Sequence, residues 1–219
     1  MTLGMRVLSF LVGYIFGMVP SGYLFGKSRH VDITKQGSGN IGTTNTLRVL
    51  GKFFGLMTLI CDAAKAIVPA VIMYFVFGHK AGGDAHLVML YAATGAVIGH
   101  DFPAVMKFKG GKGIATSMGL FIVCFPQCLP VSFVVFAVAV ALTGYVSLGS
   151  IMCAVAFPIQ VLAFWYFDRL FFFKGNAAME AFVLSVFLGG LAIARHHSNI
   201  VRLYNGNENK FSLHSKKEA

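Results

Sequence analysis

Residues 114–167 read IATSMGLFIVCFPQCLPVSFVVFAVAVALTGYVSLGSIMCAVAFPIQVLAFWYF, and this stretch contains no Lys, Arg, Asp or Glu. One membrane-spanning helix needs about 20 apolar residues, so the stretch is too long for a single crossing. Pro126 and Pro130 mark one break in it, and residues 144–147 mark another. We therefore expect three passes, at 114–127, 129–143 and 148–167. The first two are short, which leaves open tilting, local thinning of the bilayer or partial re-entry.

The rest of the chain has the composition of a helical membrane protein. Of its 219 residues, 57% are hydrophobic and 12% are charged, about half the charged fraction of a soluble domain. Further helices are predicted at 3–25, 53–77, 86–105 and 177–194, where the chain has apolar runs, and residues 78–84 are predicted to form a short polar turn. The alternating strands of an outer-membrane barrel are not visible. We predict an all-α polytopic protein with seven transmembrane helices, a single domain over 1–219 and a short polar tail at 195–219.

The distribution of basic residues favours seven crossings over six. With seven, the polar segments near residues 40, 110 and 147 and the tail share one face; with six, residue 147 and the tail move to the other. In the seven-pass arrangement, one face carries Lys27, Arg29, Lys35, Arg48, Lys52, Lys107, Lys109, Lys112, Arg195, Arg202, Lys210, Lys216 and Lys217, and the other carries Arg6, Lys80, Arg169 and Lys174. The positive-inside rule then predicts an external N-terminus and a cytoplasmic C-terminus.

Charge and cysteine usage narrow the range of partners. The net charge of +10 fits cytoplasmic loops and anionic lipid or substrate better than nucleic acid. All four cysteines lie in apolar runs. Cys124 and Cys128 share a helical face without a neighbouring His, so a zinc site is not indicated. Asp62 and Lys65 lie within an apolar run at i, i+3 spacing and can neutralise each other; their role stays open.

The first polar motif is Gly37-Ser38-Gly39-Asn40-Ile41-Gly42-Thr43-Thr44-Asn45-Thr46-Leu47-Arg48. A glycine-rich loop can bring backbone N–H groups close to an anion, and Arg48 can contact a phosphate with two hydrogen bonds. A nucleotide P-loop would need Lys at Thr43 and a preceding strand. The structural alternative is a connector with helix caps.

The second motif runs from Gly99-His100 to the sequence KFKGGKGIAT at 107–116. Backbone N–H groups at the start of a helix, with lysines beside them, form an anion site. The alternative is an ordinary basic flank, and Lys109 and Lys112 are equally good candidates for the contact.

The third motif follows the last helix at 196–210, where His196 can exchange a proton near neutrality. An interfacial His is the structural alternative there.

Together these segments resemble the three motifs of the bacterial acyl-phosphate:glycerol-3-phosphate acyltransferase (PlsY) family. The matching residues are SGNIGTTNTLR at 38–48, GH at 99–100 with FKGGKGIAT at 108–116, and HxxNIxRLxxGxExK at 196–210. The resemblance implies a seven-helix enzyme of the bacterial inner membrane whose active site faces the cytoplasm. Such an enzyme moves a fatty acyl group from acyl phosphate to the 1-hydroxyl of glycerol 3-phosphate, the first step of membrane phospholipid biosynthesis. It needs no metal, other cofactor, nucleic acid or oligomer.

The same resemblance assigns the site. Ser38, Arg48, a lysine of the second motif and Ser147, with Ser150 as the alternative, contact glycerol phosphate. Gly42, Thr43 and Asn199 cradle acyl phosphate, with His196 nearby. The full predicted set is His196, Asn199, Ser38 and Arg48 as catalytic residues, and Gly39, Asn40, Gly42, Thr43, Asn45, Lys109, Gly110, Gly111, Lys112, Ser147 and Glu208 as substrate-binding residues.

The expected mechanism is direct attack of the glycerol hydroxyl on the acyl carbonyl, because acyl phosphate already carries a good leaving group. The base is either His196 or the departing phosphate. A transporter or channel for an organic phosphate is the competing function. It predicts polar residues spread through the membrane midplane, whereas intramembrane charge here is limited to Asp62 and Lys65.

Overall fold

The computed structural model describes residues 1–211, so residues 212–219 of the predicted tail lie outside the described part. The helices are α1 (Leu3–Gly17), α2 (Ser21–Ser28), α3 (Thr43–Leu50), α4 (Lys52–Ala81), α5 (Ala85–Asp101), α6 (Ile114–Cys124), α7 (Leu129–Thr143), α8 (Val146–Tyr166), α9 (Gly175–Arg195) and α10 (His197–Tyr204). Within residues 1–211, six segments are long and apolar enough to span a membrane, namely Leu3–Ser28, Lys52–Ala81, Ala85–Met106, Pro126–Thr143, Val146–Tyr166 and Gly175–Arg195. The predicted all-α polytopic class is confirmed.

The first crossing is broken, and the prediction of one continuous helix over residues 3–25 is wrong. Helix α1 ends at Gly17 and α2 begins at Ser21. The break falls at Pro20, which has no backbone N–H and disfavours helical geometry at the preceding residue. The apolar run continues across the break, so hydropathy alone did not reveal it.

The predicted turn at residues 78–84 begins too early. Helix α4 continues through Gly78 to Ala81, and a short 3-10 turn follows at Gly82–Asp84. A glycine inside a helix costs only about 1 kcal/mol relative to alanine, so Gly78 alone does not end it. The helix ends where Gly82 adopts a positive φ of +59°, which is not a helical conformation.

Helices α1 and α5 pack backbone against backbone. A Cβ on Gly13 would lie 1.8 Å from the carbonyl oxygen of Ala92, and one on Gly95 would lie 2.0 Å from that of Phe10. Small residues allow such close approach between helices in a membrane. Tyr14 also donates a hydrogen bond of 2.8 Å to the carbonyl of Phe102. This packing fixes the C-terminal end of α5, on which the second motif rests.

The shortest apolar helix, α6, connects the two ends of the bundle. The chain reaches it from Lys112, whose side chain binds Asn199 just beyond α9. Just after it, Phe125 packs on Phe173, with ring centroids 5.2 Å apart, in the loop before α9. Helix α7 then returns to Gly144, whose carbonyl accepts a 2.7 Å hydrogen bond from Phe211 of the tail. The predicted breaks at Pro126 and Gly144 are therefore present.

Charged residues tie the helices together at the end remote from the motifs. The N-terminal amine lies 2.9 Å from Asp84. Arg6 and Tyr91 both donate hydrogen bonds to Glu180. These contacts join the start of α1 to α5 and α9. The three motifs lie at the opposite end of the same helices.

Candidate active site

The glycines of the second motif pack directly on the end of α5. A Cβ on Gly110 would lie 2.1 Å from the carbonyl oxygen of His100, and one on Gly111 would lie 2.0 Å from its ring Nε2. The N–H of Gly111 donates a 3.0 Å hydrogen bond to that same carbonyl. Helix packing therefore requires these two glycines, whereas the sequence pattern had suggested close approach to an anion.

Lys112 joins the second motif to the third. Its Nζ donates a hydrogen bond to Oδ1 of Asn199, and Nδ2 of Asn199 donates to Glu208 at 3.1 Å. The second carboxylate oxygen of Glu208 accepts a 2.9 Å hydrogen bond from Arg202. Both oxygens of Glu208 thus accept hydrogen bonds and orient Asn199 and Arg202. The predicted contact of Glu208 with a substrate stays a prediction.

Lys109 lies in a different environment. Its side chain is exposed and has no hydrogen bond or ion pair to any other residue within 1–211. Two lysines that the sequence pattern could not distinguish are thus separated by geometry. Lys112 points into the junction of two motifs, and Lys109 faces outward.

His196 lies between α9 and α10 and is buried. Its Nδ1 is 2.7 Å from the carbonyl oxygen of Ala192. A carbonyl can only accept, so Nδ1 carries the hydrogen and Nε2 is left as an acceptor. Burial lowers the pKa of His196 to about 4, opposed by the hydrogen bond to Ala192. The imidazole is therefore neutral near pH 7 and is a weak base.

The first motif is held together by its own amides. Oδ1 of Asn45 accepts a 2.8 Å hydrogen bond from the N–H of Ser38, and Nδ2 donates to the carbonyls of Ile33 and Gln36 at 3.1 Å each. Asn40 accepts from the N–H of Gly42 at 2.8 Å. The polar atoms of Asn45 are thus used to shape the loop.

Two of the predicted hydroxyl groups remain available for a ligand. Thr43 Oγ1, at the start of α3, and Ser147 Oγ, at the start of α8, are buried without a hydrogen-bond partner within residues 1–211. Buried polar groups normally have a partner. Ser150, the alternative to Ser147, already donates to the carbonyl of Val146 at 3.0 Å. The side chain of Ser38 is exposed.

The remaining glycine and arginine of the first motif also have defined places. Gly39 has a φ of +70°, which favours glycine. Arg48 is exposed and lines a small crevice with Thr44, Leu47 and Phe211. Phe211 in turn binds Gly144. The first motif and the tail therefore line the same crevice, while direct hydrogen bonds link the second and third motifs.

Two groups support the second motif in ways that the sequence did not indicate. Arg195 donates hydrogen bonds to the carbonyls of Gly110 and Gly111. On the other side of the loop, Lys65 Nζ lies 2.5 Å from Asp62 Oδ1 and 3.4 Å from His100 Nδ1. The predicted pairing of Asp62 and Lys65 is present, and it lies directly behind the glycine loop. The sequence signal for a role of Arg195 was its position immediately before His196 of the third motif.

Comparison with known proteins agrees with the motif pattern. A family model described as "Glycerol-3-phosphate acyltransferase" matches residues 7–206. The chain belongs to this family. A protein named glycerol-3-phosphate acyltransferase from Syntrophotalea carbinolica is 44% identical over 205 residues, covering 92% of this chain and 95% of its own length.

Two solved structures share the fold. Both are crystal structures of PlsY (YgiH), described as an integral membrane glycerol 3-phosphate acyltransferase. The lysophosphatidic acid form has a TM-score of 0.77 at 29% identity and covers 95% of this chain and 96% of that one. The glycerol 3-phosphate form has a TM-score of 0.75 at 30% identity and covers 96% and 95%. The predicted PlsY-type family is confirmed.

Proposed function

We propose that the chain transfers a fatty acyl group from acyl phosphate to the 1-hydroxyl of glycerol 3-phosphate, giving lysophosphatidic acid and inorganic phosphate. The observation that carries this proposal is the junction of Lys112 with Asn199, which brings two motifs of the family together at one end of the bundle. Both substrates carry phosphate, and this end presents a lysine, an arginine and buried hydroxyl groups. Relatives named for glycerol 3-phosphate acylation support the acceptor.

The binding roles follow from which groups are available. Lys112 and Arg48 supply positive charge for phosphate oxygens. Thr43 and Ser147 supply hydroxyl groups that have no other partner within residues 1–211. Asn199 holds Lys112 in place through Oδ1, and one of its two Nδ2 hydrogens is left for the same ligand. The acyl chain fits an apolar groove of about 310 Å³ between the broken first crossing and α4, lined by residues that include Phe16, Phe25 and Val68.

The reaction is a direct displacement. The glycerol hydroxyl oxygen attacks the acyl carbonyl carbon, the carbon–oxygen bond to phosphate breaks, and phosphate leaves. With a pKa of about 4, His196 is a weaker base than a phosphate group, whose second pKa is about 6. The departing phosphate therefore takes the hydroxyl proton, and neutral His196 orients the reactants by hydrogen bonding. Positioning and electrostatic stabilisation account for most of the reduction in the activation barrier.

Seven crossings in the bacterial inner membrane complete the proposal. The six long segments count as crossings by length, and α6 supplies the seventh because its two ends meet opposite ends of the bundle. A helix of 11 residues spans only about 16 Å at 1.5 Å per residue, so the bilayer is locally thin at α6 or polar loops extend into it. The basic residues at the motif end support a cytoplasmic location for that end, by the positive-inside rule.

An assay of phosphate release by the purified protein in detergent tests this function. Phosphate release is expected only when acyl phosphate and glycerol 3-phosphate are both present, with lysophosphatidic acid as the lipid product by mass spectrometry. Incubation with acyl phosphate alone should leave the intact mass of the protein unchanged, since direct displacement forms no acyl-enzyme. A stable acyl adduct would contradict the mechanism. Flux of glycerol 3-phosphate into liposomes without product would favour the transporter.

The pH dependence tests the role of Lys112. Burial, aided by the nearby charge of Arg202, lowers the pKa of Lys112 to about 8. The cation is present below that pH and is lost above it, so kcat/KM for glycerol 3-phosphate should fall as pH rises through about 8. In Lys112→Arg the guanidinium stays charged, and this alkaline decline should move beyond pH 9. An unchanged decline in that variant would assign the titration to another group.

A further inference from the structure

Arg195 makes an unusual set of contacts with the glycine loop. Its Nη2 donates to the carbonyl of Gly110 at 3.1 Å and to that of Gly111 at 2.7 Å, and its Nε donates to Gly111 at 3.1 Å. The guanidinium carbon lies 4.9 Å from the centre of the Phe102 ring. The residue thus spans from the end of α9 to the loop before α6.

These hydrogen bonds fix the loop on one side while α5 fixes it on the other. The N–H of Gly111 is bound to the carbonyl of His100, and the carbonyl of Gly111 is bound to Arg195. Because a peptide unit is planar and trans, holding the carbonyl of Gly111 also sets the direction of the N–H of Lys112. The side chain of Lys112 starts from this fixed backbone and reaches Asn199.

We propose that Arg195 is a positioning residue that acts through the carbonyls of Gly110 and Gly111 to hold Lys112 at the phosphate site. This inference rests on the proposed function, in which Lys112 binds a phosphorylated substrate. Arginine is required because a planar guanidinium can bridge two carbonyls with donors in fixed directions, whereas a lysine ammonium is a compact charge with no such fork. Positive charge alone is therefore insufficient at this position.

Arg195→Lys tests the inference, with Arg29→Lys as the matched control. Arg29 also places its guanidinium over a phenylalanine ring, 5.7 Å from the centre of Phe54, but it does not contact the glycine loop. Displacement of a positioned group by about 1 Å can cost on the order of 100-fold in rate. We expect kcat/KM for glycerol 3-phosphate to fall by about that factor in Arg195→Lys and by less than about twofold in Arg29→Lys.

A double variant distinguishes positioning of Lys112 from a general loss of structure. If Arg195 acts through Lys112, then Arg195→Lys combined with Lys112→Met should be no less active than Lys112→Met alone, because coupled residues are non-additive. Additive losses would overturn the inference, as would wild-type activity in Arg195→Lys. A fall in the thermal unfolding midpoint that accounts for the whole loss would overturn it too.

Hydrogen–deuterium exchange provides a readout that does not depend on turnover. Exchange in the 108–113 segment should increase in Arg195→Lys and stay unchanged in Arg29→Lys. If wild-type protein showed no acyl transfer, the proposed function would fail while this increase would still support the clamp on the loop. Unchanged exchange in Arg195→Lys would overturn the clamp even in an active enzyme.

Discussion

Lys112→Met should lower kcat/KM for glycerol 3-phosphate by about 100- to 1,000-fold, the range seen when one preorganised donor at a developing charge is removed. The variant removes a cation that faces the proposed phosphate site, and it also deprives Asn199 Oδ1 of its donor. Steady-state kinetics with acyl phosphate held at saturation measure the effect. Thermal unfolding in detergent checks that the variant is folded.

Lys109→Met is the matched control, since it removes the same charge from the same loop. The side chain of Lys109 is exposed and has no hydrogen-bond or ion-pair partner within residues 1–211, so only weak long-range steering should be lost, at a cost of less than about fivefold. Equal losses in the two variants, or a larger loss in Lys109→Met, would assign the phosphate contact to Lys109 and contradict the site described above.

Much of the fold was predictable because its signals are local. Apolar runs identified the helices, and Pro126 and Gly144 identified the breaks in the uncharged stretch. The same reasoning failed at Pro20, where an uninterrupted apolar run hid a broken helix, and at Gly78, where a glycine was taken for the end of one. In both places hydropathy and backbone geometry pointed to different structures, and backbone geometry determined the outcome.

The site was predictable as motifs but not as contacts. Lys112 and Asn199 are 87 positions apart, and composition offered no reason to prefer Lys112 over Lys109. Arg195 had the pattern of an ordinary cytoplasmic flank, because the carbonyls that it binds belong to another motif. Glycine density in the second motif indicated close backbone approach, and contact with His100 is one cause of it. Approach of the same loop to an anion stays a prediction.

The buried pair of Asp62 and Lys65 should have the largest effect on stability. Their side chains are 1% and 6% exposed, and their charged atoms are 2.5 Å apart. Removing one partner of such a pair leaves an uncompensated buried charge, at a cost of about 3–5 kcal/mol. For a protein of this size that cost lowers the thermal unfolding midpoint by about 10 °C. We expect such a decrease in either Asp62→Asn or Lys65→Gln.

The double variant Asp62→Asn/Lys65→Gln should recover most of that loss, because two neutral amides can bond to each other and leave no charge unpaired. The control is the exposed pair of Asp32 and Lys35, which has the same i, i+3 spacing and charged atoms 3.7 Å apart. Lys35→Gln should leave the thermal unfolding midpoint unchanged. A double variant as unstable as either single one would show that the charges themselves are needed.

Because His100 lies between Lys65 and Gly111, both single variants should also lose activity, and the double variant should regain it together with the stability.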